Sequence, residues 1–206
     1  MELRSRYALN AVLMFGITTL AMVSFSLGQR GLPPEVLSAL FWIIMFFSAV
    51  AGLALVFIRE EEAGTALALR LTADPIAVYL GKLFFNLTLL AMMTIIITPV
   101  FFMFTDAPTD HVPAFILIEV LGVIGLCAAT TLVAAIISRA AIKGALFAVL
   151  SFPLLITLLL MLVAASSKIL AGKPLSATFA ELQGLVAYSV VMLTASLLLF
   201  KFVWQE

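Results

Sequence analysis

The chain has 206 residues, of which 65% are hydrophobic and only 11% charged, whereas a soluble domain carries about 25% charged residues. With a mean hydropathy of +1.27, it lacks the polar surface of a water-soluble globule, and this composition predicts an integral membrane protein in a lipid bilayer. Eleven basic and eleven acidic side chains cancel, so there is no global positive field to attract nucleic acid, which we exclude as a partner.

Long apolar segments recur along the chain, and each is long enough for a membrane-spanning helix, which needs about 20 mostly apolar residues. The six predicted spans cover residues 7–28, 36–58, 76–105, 113–138, 144–166 and 181–203. The connections between them are too short to hold a separate soluble domain. We therefore expect an all-α integral membrane protein in which residues 1–206 form a single transmembrane domain.

The orientation in the membrane is predicted from Lys and Arg. Six spans place both termini on the same side, and that side holds eight of the eleven basic residues. The other side holds three, which are Arg30, Lys168 and Lys173. Because basic residues concentrate in cytoplasmic connections, both termini are expected to be cytoplasmic.

The connection between the second and third spans, residues 59–82, contains its own helical pattern. Three consecutive glutamates precede a run of helix formers, and acids at a helix N-terminus are stabilised by the helix dipole. Asp74 followed by Pro75 is typical of an N-cap and a first helical residue, so the third helix is expected to begin at Pro75. The residues of this connection that we expect to contact its binding partner or the membrane surface are Glu60, Glu61, Glu62, Leu67, Arg70, Leu71 and Asp74.

Four residues of this predicted helix, Ala63, Leu67, Arg70 and Leu71, fall on one face. Two interpretations of this amphipathic helix remain open. It could rest on lipid headgroups as an ordinary interfacial helix, or it could dock a cytoplasmic partner. The acidic triplet at residues 60–62 favours docking, because the anionic inner leaflet repels negative charge.

Two stretches of the chain resemble a known family. The pattern E-x-G-T at residues 62–65, followed by Y-L-G-K at residues 79–82, is similar to ABC-2 type exporter permeases. More narrowly, LRSRYALNAVLMF at residues 3–15 and REEEAGTALALRLTADPIAVYLGKLFFNL at residues 59–87 resemble CcmB. CcmB proteins are the haem exporter permease subunit of the cytochrome c maturation ABC transporter.

The resemblance implies the ABC-2 permease fold, with a cytoplasmic coupling helix between the second and third spans. It implies two copies of the chain in the bacterial cytoplasmic (inner) membrane, and a separate CcmA-like ATPase docked beneath each copy on residues 60–74. It also implies CcmC-, CcmD- and CcmE-like membrane partners and haem as the cargo that is exported or delivered to its chaperone.

The chain contains no nucleotide-binding motif and no candidate catalytic site. Gly81-Lys82 and Gly172-Lys173 lack the upstream glycine and the following Ser or Thr of G-x-x-x-x-G-K-[ST]. A permease that uses ATP must therefore obtain it through another subunit, and we expect no enzymatic activity in this chain. His111 in an outer connection and Cys127 within a span are expected to be a solvated and a packing side chain, so no haem, metal or other cofactor is assigned to this chain.

Glu119 is the one acid in the interior of a predicted span, since Glu181 stands at the first residue of the sixth span. An ionisable residue in the membrane is a functional candidate by default. However, Glu119 lies about 9 Å from the outer boundary at 1.5 Å per residue, so it could also reach the interface. A structural or snorkelling role and a role in a cavity or partner contact both remain open.

Three further features concern helix packing. Pro99 and Pro153 each remove a backbone hydrogen bond and permit a kink. The small-residue patterns at residues 48–52 and 125–129 let helices approach closely. Residues 166–180 are expected to be partly ordered as short re-entrant or interfacial helices, with an apolar side formed by Ile169, Leu170, Leu175 and Phe179.

Three functions compete with the cytochrome c maturation permease. The first is an ABC-2 permease for another substrate, such as a lipid, a glycan or a drug. The second is a non-ABC secondary transporter with Glu119 as a proton site, although we find no inverted repeat of the kind that such transporters contain. The third is a membrane scaffold that only holds partners.

Overall fold

In the computed structural model, which describes residues 13–14, 16–23, 25, 32–53, 71–105, 107–137 and 143–205, every regular element within those ranges is helical. Residues 16–23, inside the first predicted span, are helical. The five long helices are α1 (Pro34–Leu53), α2 (Pro75–Thr105), α3 (Val112–Ile137), α4 (Lys143–Leu170) and α5 (Phe179–Gln205), and a short 3₁₀ helix, Leu175–Thr178, precedes α5.

Among the described residues, four helical segments are long and apolar enough to cross a membrane. They are Pro75–Thr105, Val112–Ile137, Val149–Leu170 and Leu175–Phe202. The described part of α1 supplies a shorter apolar helix, Pro34–Val50. The chain is thus a multi-pass membrane protein that is all-helical in its described regular elements, and the six-span count remains a prediction.

Helix α3 is the centre of the bundle. It packs against α1, α2, α4 and α5, and most of its residues are buried. The pattern at residues 125–129 explains part of this close packing, because a Cβ added at Gly125 would lie 3.0 Å from Leu158 of α4 and 3.3 Å from the Ser189 hydroxyl of α5. Small residues allow this approach of helix backbones, which membrane helices use in place of a hydrophobic driving force.

An indole ring fills the contact between α1 and α3. The side chain of Trp42 is fully buried, and its Nε1 donates a hydrogen bond to the Ser166 hydroxyl of α4 at 2.8 Å. Ser166 in turn donates to the carbonyl of Leu162 at 2.6 Å. A Cβ added at Gly122 would lie only 2.3 Å from the Trp42 ring. The ring is therefore held between α1, α3 and α4, and it occupies the space that any larger residue at Gly122 would need.

Backbone chemistry accounts for two helix ends. Helix α2 begins at Pro75 as predicted, and the carbonyl of Asp74 accepts its first hydrogen bond, from Val78 N at 3.1 Å. Helix α4 continues to Leu170, four residues beyond the predicted span. There Gly172 adopts a positive φ of 76°, and the amides of Gly172 and Lys173 return to the carbonyls of Ile169 and Lys168. These two bonds form a Schellman C-cap, which favours glycine at this position.

The segment 166–180 is ordered, as expected, but it contains no re-entrant helix. It consists of the end of α4, the turn at Gly172, the 3₁₀ helix and the start of α5. Of the predicted apolar side, Ile169 and Leu170 are buried, whereas Leu175 and Phe179 are exposed.

An ion pair closes the connection between α4 and α5. Lys168 Nζ donates to Glu181 Oε1 at 2.5 Å and to the carbonyl of Ala177 at 3.1 Å. Both side chains are half-buried at the surface of the bundle, and surface ion pairs stabilise a protein by at most about 1 kcal/mol. Its main effect is therefore to hold the two helix ends in register.

Candidate functional site

Helices α2 and α3 enclose a cavity of about 470 Å³ between them. Its volume lies within the range of about 300–1,000 Å³ that is typical of small-molecule sites. The wall is formed by one face of each helix: Leu87, Ala91, Thr94, Ile95, Thr98 and Pro99 from α2, and Ile116, Glu119, Val120, Val123 and Ile124 from α3. Glu119 is the single charged residue among these lining residues, so the cavity is an apolar space with one acid in its wall.

Pro99 lies within α2 on the face that lines the cavity. Proline has no amide hydrogen, so the carbonyl of Ile95, four residues earlier, loses its helical donor. Thr94 and Thr98 lie one turn apart on the same face. Pro99 and the hydroxyl groups of Thr94 and Thr98 therefore lie on the side of α2 that faces α3.

The Glu119 side chain is buried, with only 4% of its surface exposed. Its Oε1 accepts a hydrogen bond from the Thr98 hydroxyl across the two helices. The other three threonines of α2 behave differently, because Thr88, Thr94 and Thr105 each donate to the carbonyl four residues earlier on their own helix. Thr98 thus gives up the usual intrahelical bond and donates to the carboxyl group instead.

This arrangement can bind a positive charge or a hydrogen-bond donor. An ionised carboxylate in an apolar site is costly unless it is paired and hydrogen-bonded, and Thr98 supplies only one of the bonds it can accept. Haem iron would require an axial His, Met, Cys or Tyr, and the cavity wall contains none of these side chains. The cavity therefore fits an amine or another cationic group better than it fits ligated haem.

Most of the predicted coupling residues lie outside the described residues. These are Glu60, Glu61, Glu62, Leu67 and Arg70. The structure does place Leu71 and Asp74 just before α2, where Leu71 is helical and both side chains are exposed. Asp74 is about 36 Å from Thr98 at 1.5 Å per residue, so the predicted coupling segment and the Thr98–Glu119 pair are well separated along α2.

His111 and Cys127, the two side chains considered as haem ligands, lie far apart. His111 lies in the turn before α3, where its carbonyl accepts a bond from Phe115 N at 3.1 Å. Cys127 is fully buried within α3, about 24 Å from His111 along the helix. Neither His111 nor Cys127 is among the residues that line the Glu119 cavity.

Sequence reasoning identified Glu119 but missed Thr98 and the cavity. Thr98 directly precedes Pro99 and follows Thr94 at a spacing of four, and this was the available signal. A second polar contact between the same helices joins Asn86 Nδ2 of α2 to the Thr131 hydroxyl of α3 at 2.8 Å. Two polar pairs, Asn86–Thr131 and Thr98–Glu119, thus join α2 to α3.

Comparison with known families gives one result that covers nearly the whole chain. Residues 1–198 match the family model described as CcmB protein. Comparisons with curated proteins and with solved structures give no match.

Proposed function

The chain belongs to the CcmB family and is a membrane component of the cytochrome c maturation ABC exporter, and from this premise we propose that it acts as the permease subunit that couples ATP hydrolysis to haem export or haem-chaperone release. The observation that carries the proposal is the family match over residues 1–198. A nucleotide-binding motif is absent from the sequence, so ATP is hydrolysed by a separate CcmA-like subunit. The isolated chain accordingly has no ATPase activity.

The proposed architecture has six spans in the ABC-2 arrangement, with both termini in the cytoplasm of a bacterium and the chain in its inner membrane. Two copies form the membrane part of the transporter, each above one ATPase, and CcmC-, CcmD- and CcmE-like proteins complete the assembly. Residues 59–74 form the coupling segment, supported by the exposed Leu71 and Asp74 that lead into α2. Helix α2 runs from this segment to the far side of the bundle, so it is the element that would carry movement of the ATPase into the membrane.

The proposed function is tested by co-purification and complementation. When the tagged chain is purified from membranes, we expect a CcmA-like ATPase at one copy per copy of this chain, together with CcmC-, CcmD- and CcmE-like proteins. A strain lacking the chain should lose covalent haem attachment to c-type cytochromes and regain it on complementation. A purified complex with one copy of this chain per ATPase pair would contradict the dimer, and normal cytochrome c in the deletion strain would contradict the function.

The proposed topology predicts which sites react with a membrane-impermeant thiol reagent. In a Cys127→Ala background, Thr109→Cys and Ser176→Cys should be labelled from outside intact cells, because both positions are exposed and the proposed topology puts their connections on the outer side. Thr65→Cys should be labelled only after the membrane is opened. Labelling of Thr65→Cys in intact cells would reverse the assignment of the cytoplasmic side.

A further inference from the structure

We propose that the α2–α3 cavity is a binding site for an aminophospholipid of the outer leaflet, whose primary ammonium group pairs with Glu119. The proposal joins an apolar cavity of about 470 Å³, a single buried carboxyl group in its wall and an opening on the outer surface of the bundle. It depends on the proposed function in one respect, which is the assignment of the α2–α3 turn to the outer side of the membrane.

The opening of the cavity points away from the bundle. Of its lining side chains, Ile95 is largely exposed and Ile116 and Val120 are half-exposed, whereas Glu119 is buried. Exposed aliphatic side chains on a membrane-spanning helix pair face acyl chains. A lipid can therefore enter sideways from the bilayer without crossing a polar barrier.

The charge of the cavity selects the kind of lipid. Glu119 is the only ionisable residue among the described lining residues, and as a carboxylate it repels an anionic headgroup and attracts an ammonium group. A primary ammonium has three N–H donors, and a carboxylate can accept more than the one bond that Thr98 supplies. A choline headgroup carries the same charge but no N–H, so it cannot donate a hydrogen bond to the carboxylate.

The hydrogen bond from Thr98 fixes the orientation of the Glu119 carboxyl group. Thr88, Thr94 and Thr105 on the same helix satisfy their hydroxyls within the helix, and Thr98 forgoes that bond to donate to Glu119. Donation to a carboxylate is about twice as strong as donation to a neutral carbonyl. Thr98 is thus positioned to orient the carboxylate, with its remaining acceptor sites available to a ligand in the cavity.

The depth of Glu119 suits a headgroup. Helix α3 has 26 residues and is about 39 Å long, whereas the hydrocarbon core is about 30 Å thick. When the helix is centred, about 4–5 Å of it project into each headgroup region, and Glu119 lies about 10 Å from its start. Its Cα is then about 6 Å below the hydrocarbon boundary, within reach of an ammonium group on a flexible headgroup.

The proposal is tested by lipid retention. The full-length chain is reconstituted in nanodiscs that contain equal amounts of phosphatidylethanolamine, phosphatidylcholine and phosphatidylglycerol, then extracted in detergent, and the retained lipids are quantified by mass spectrometry. We expect phosphatidylethanolamine to exceed phosphatidylcholine about tenfold, the factor for one hydrogen bond to a charged group. Glu119→Gln should bring the ratio close to one, and Glu119→Asp should preserve the preference.

Glu181→Gln is the matched control, because it removes an acid at another helix start that does not line the cavity, and it should leave the ratio unchanged. A photoactivatable phosphatidylethanolamine should cross-link to residues 87–99 and 116–124. Equal retention of the two zwitterionic lipids by the unsubstituted chain would overturn the proposal, even if Glu119→Gln does not fold. An unchanged ratio in a folded Glu119→Gln variant, or a disulfide between two copies of Ile116→Cys in a Cys127→Ala background, would also overturn it.

Discussion

Reversing the charge of Glu60 and Glu61 together, as Glu60→Lys with Glu61→Lys, is expected to detach the ATPase and abolish cytochrome c maturation. In the proposed function these acids meet basic groups on the ATPase, and Leu67 and Leu71 fill an apolar groove beside them. Removing one partner of a desolvated charge pair costs about 2–5 kcal/mol, so retention of the ATPase should fall at least about tenfold. The measurements are the amount of ATPase that co-purifies with the tagged chain and the yield of haem-attached cytochrome c.

The matched control is Glu60→Asp with Glu61→Asp, which keeps both charges and should retain ATPase binding and maturation. Membrane insertion should be unchanged in both variants, because added lysines on the cytoplasmic side follow the positive-inside rule. If the lysine variant binds the ATPase and supports maturation at normal levels, residues 59–74 are not the coupling segment. The family assignment would stand, because it rests on the match over residues 1–198.

The second large effect is expected at Gly122. In Gly122→Ala the new Cβ would lie 2.3 Å from one atom of the Trp42 ring and 2.8 Å from Leu162. The flexible leucine can move, but the indole is rigid and is tied to Ser166 at 2.8 Å. Overpacking of this kind costs about 1–3 kcal/mol, so the melting temperature of the detergent-purified chain should fall and the membrane yield should drop.

Gly81→Ala provides the control for helix propensity. Gly81 also lies inside a helix, and a Cβ added there meets nothing within 4 Å. Alanine is favoured over glycine in a helix interior by about 1 kcal/mol, so Gly81→Ala should be as stable as the unsubstituted chain or more stable. Equal melting temperatures for the two alanine variants would show that Trp42 does not need the space at Gly122.

The helix ends illustrate how far local sequence rules reach. The Asp74-Pro75 pair predicts the start of α2, because capping chemistry depends only on neighbouring residues. The predicted end of the fifth span near residue 166 rests on hydrophobicity alone, whereas α4 continues through Lys168 to Leu170. Lys168 remains helical because its long side chain reaches Glu181 and Ala177 outside the helix. Gly172 was the available local signal for the actual end.

The candidate site, in contrast, could not be predicted from local sequence rules. The sequence identifies Glu119 as an acid within a span, but its depth allows either a snorkelling or a buried side chain. The structure places it against Thr98 and behind Ile116 and Val120. The pairing depends on the relative rotation of α2 and α3, and that rotation is set by packing against the rest of the bundle. No spacing within one helix carries this information.

The membrane environment, the helical class, the start of α2 and the family could all be predicted from the sequence, because each depends on composition, on local capping or on a contiguous stretch of residues. The central position of α3, the place of Trp42 beside Gly122 and the pairing of Glu119 with Thr98 at a cavity emerged from the packed helices alone. They could not be predicted because nearly every residue in these helices is apolar. Because hydrophobicity does not distinguish a lipid-facing side of such a helix from a buried one, the small residues and polar pairs that fix its orientation act only when the helices are packed.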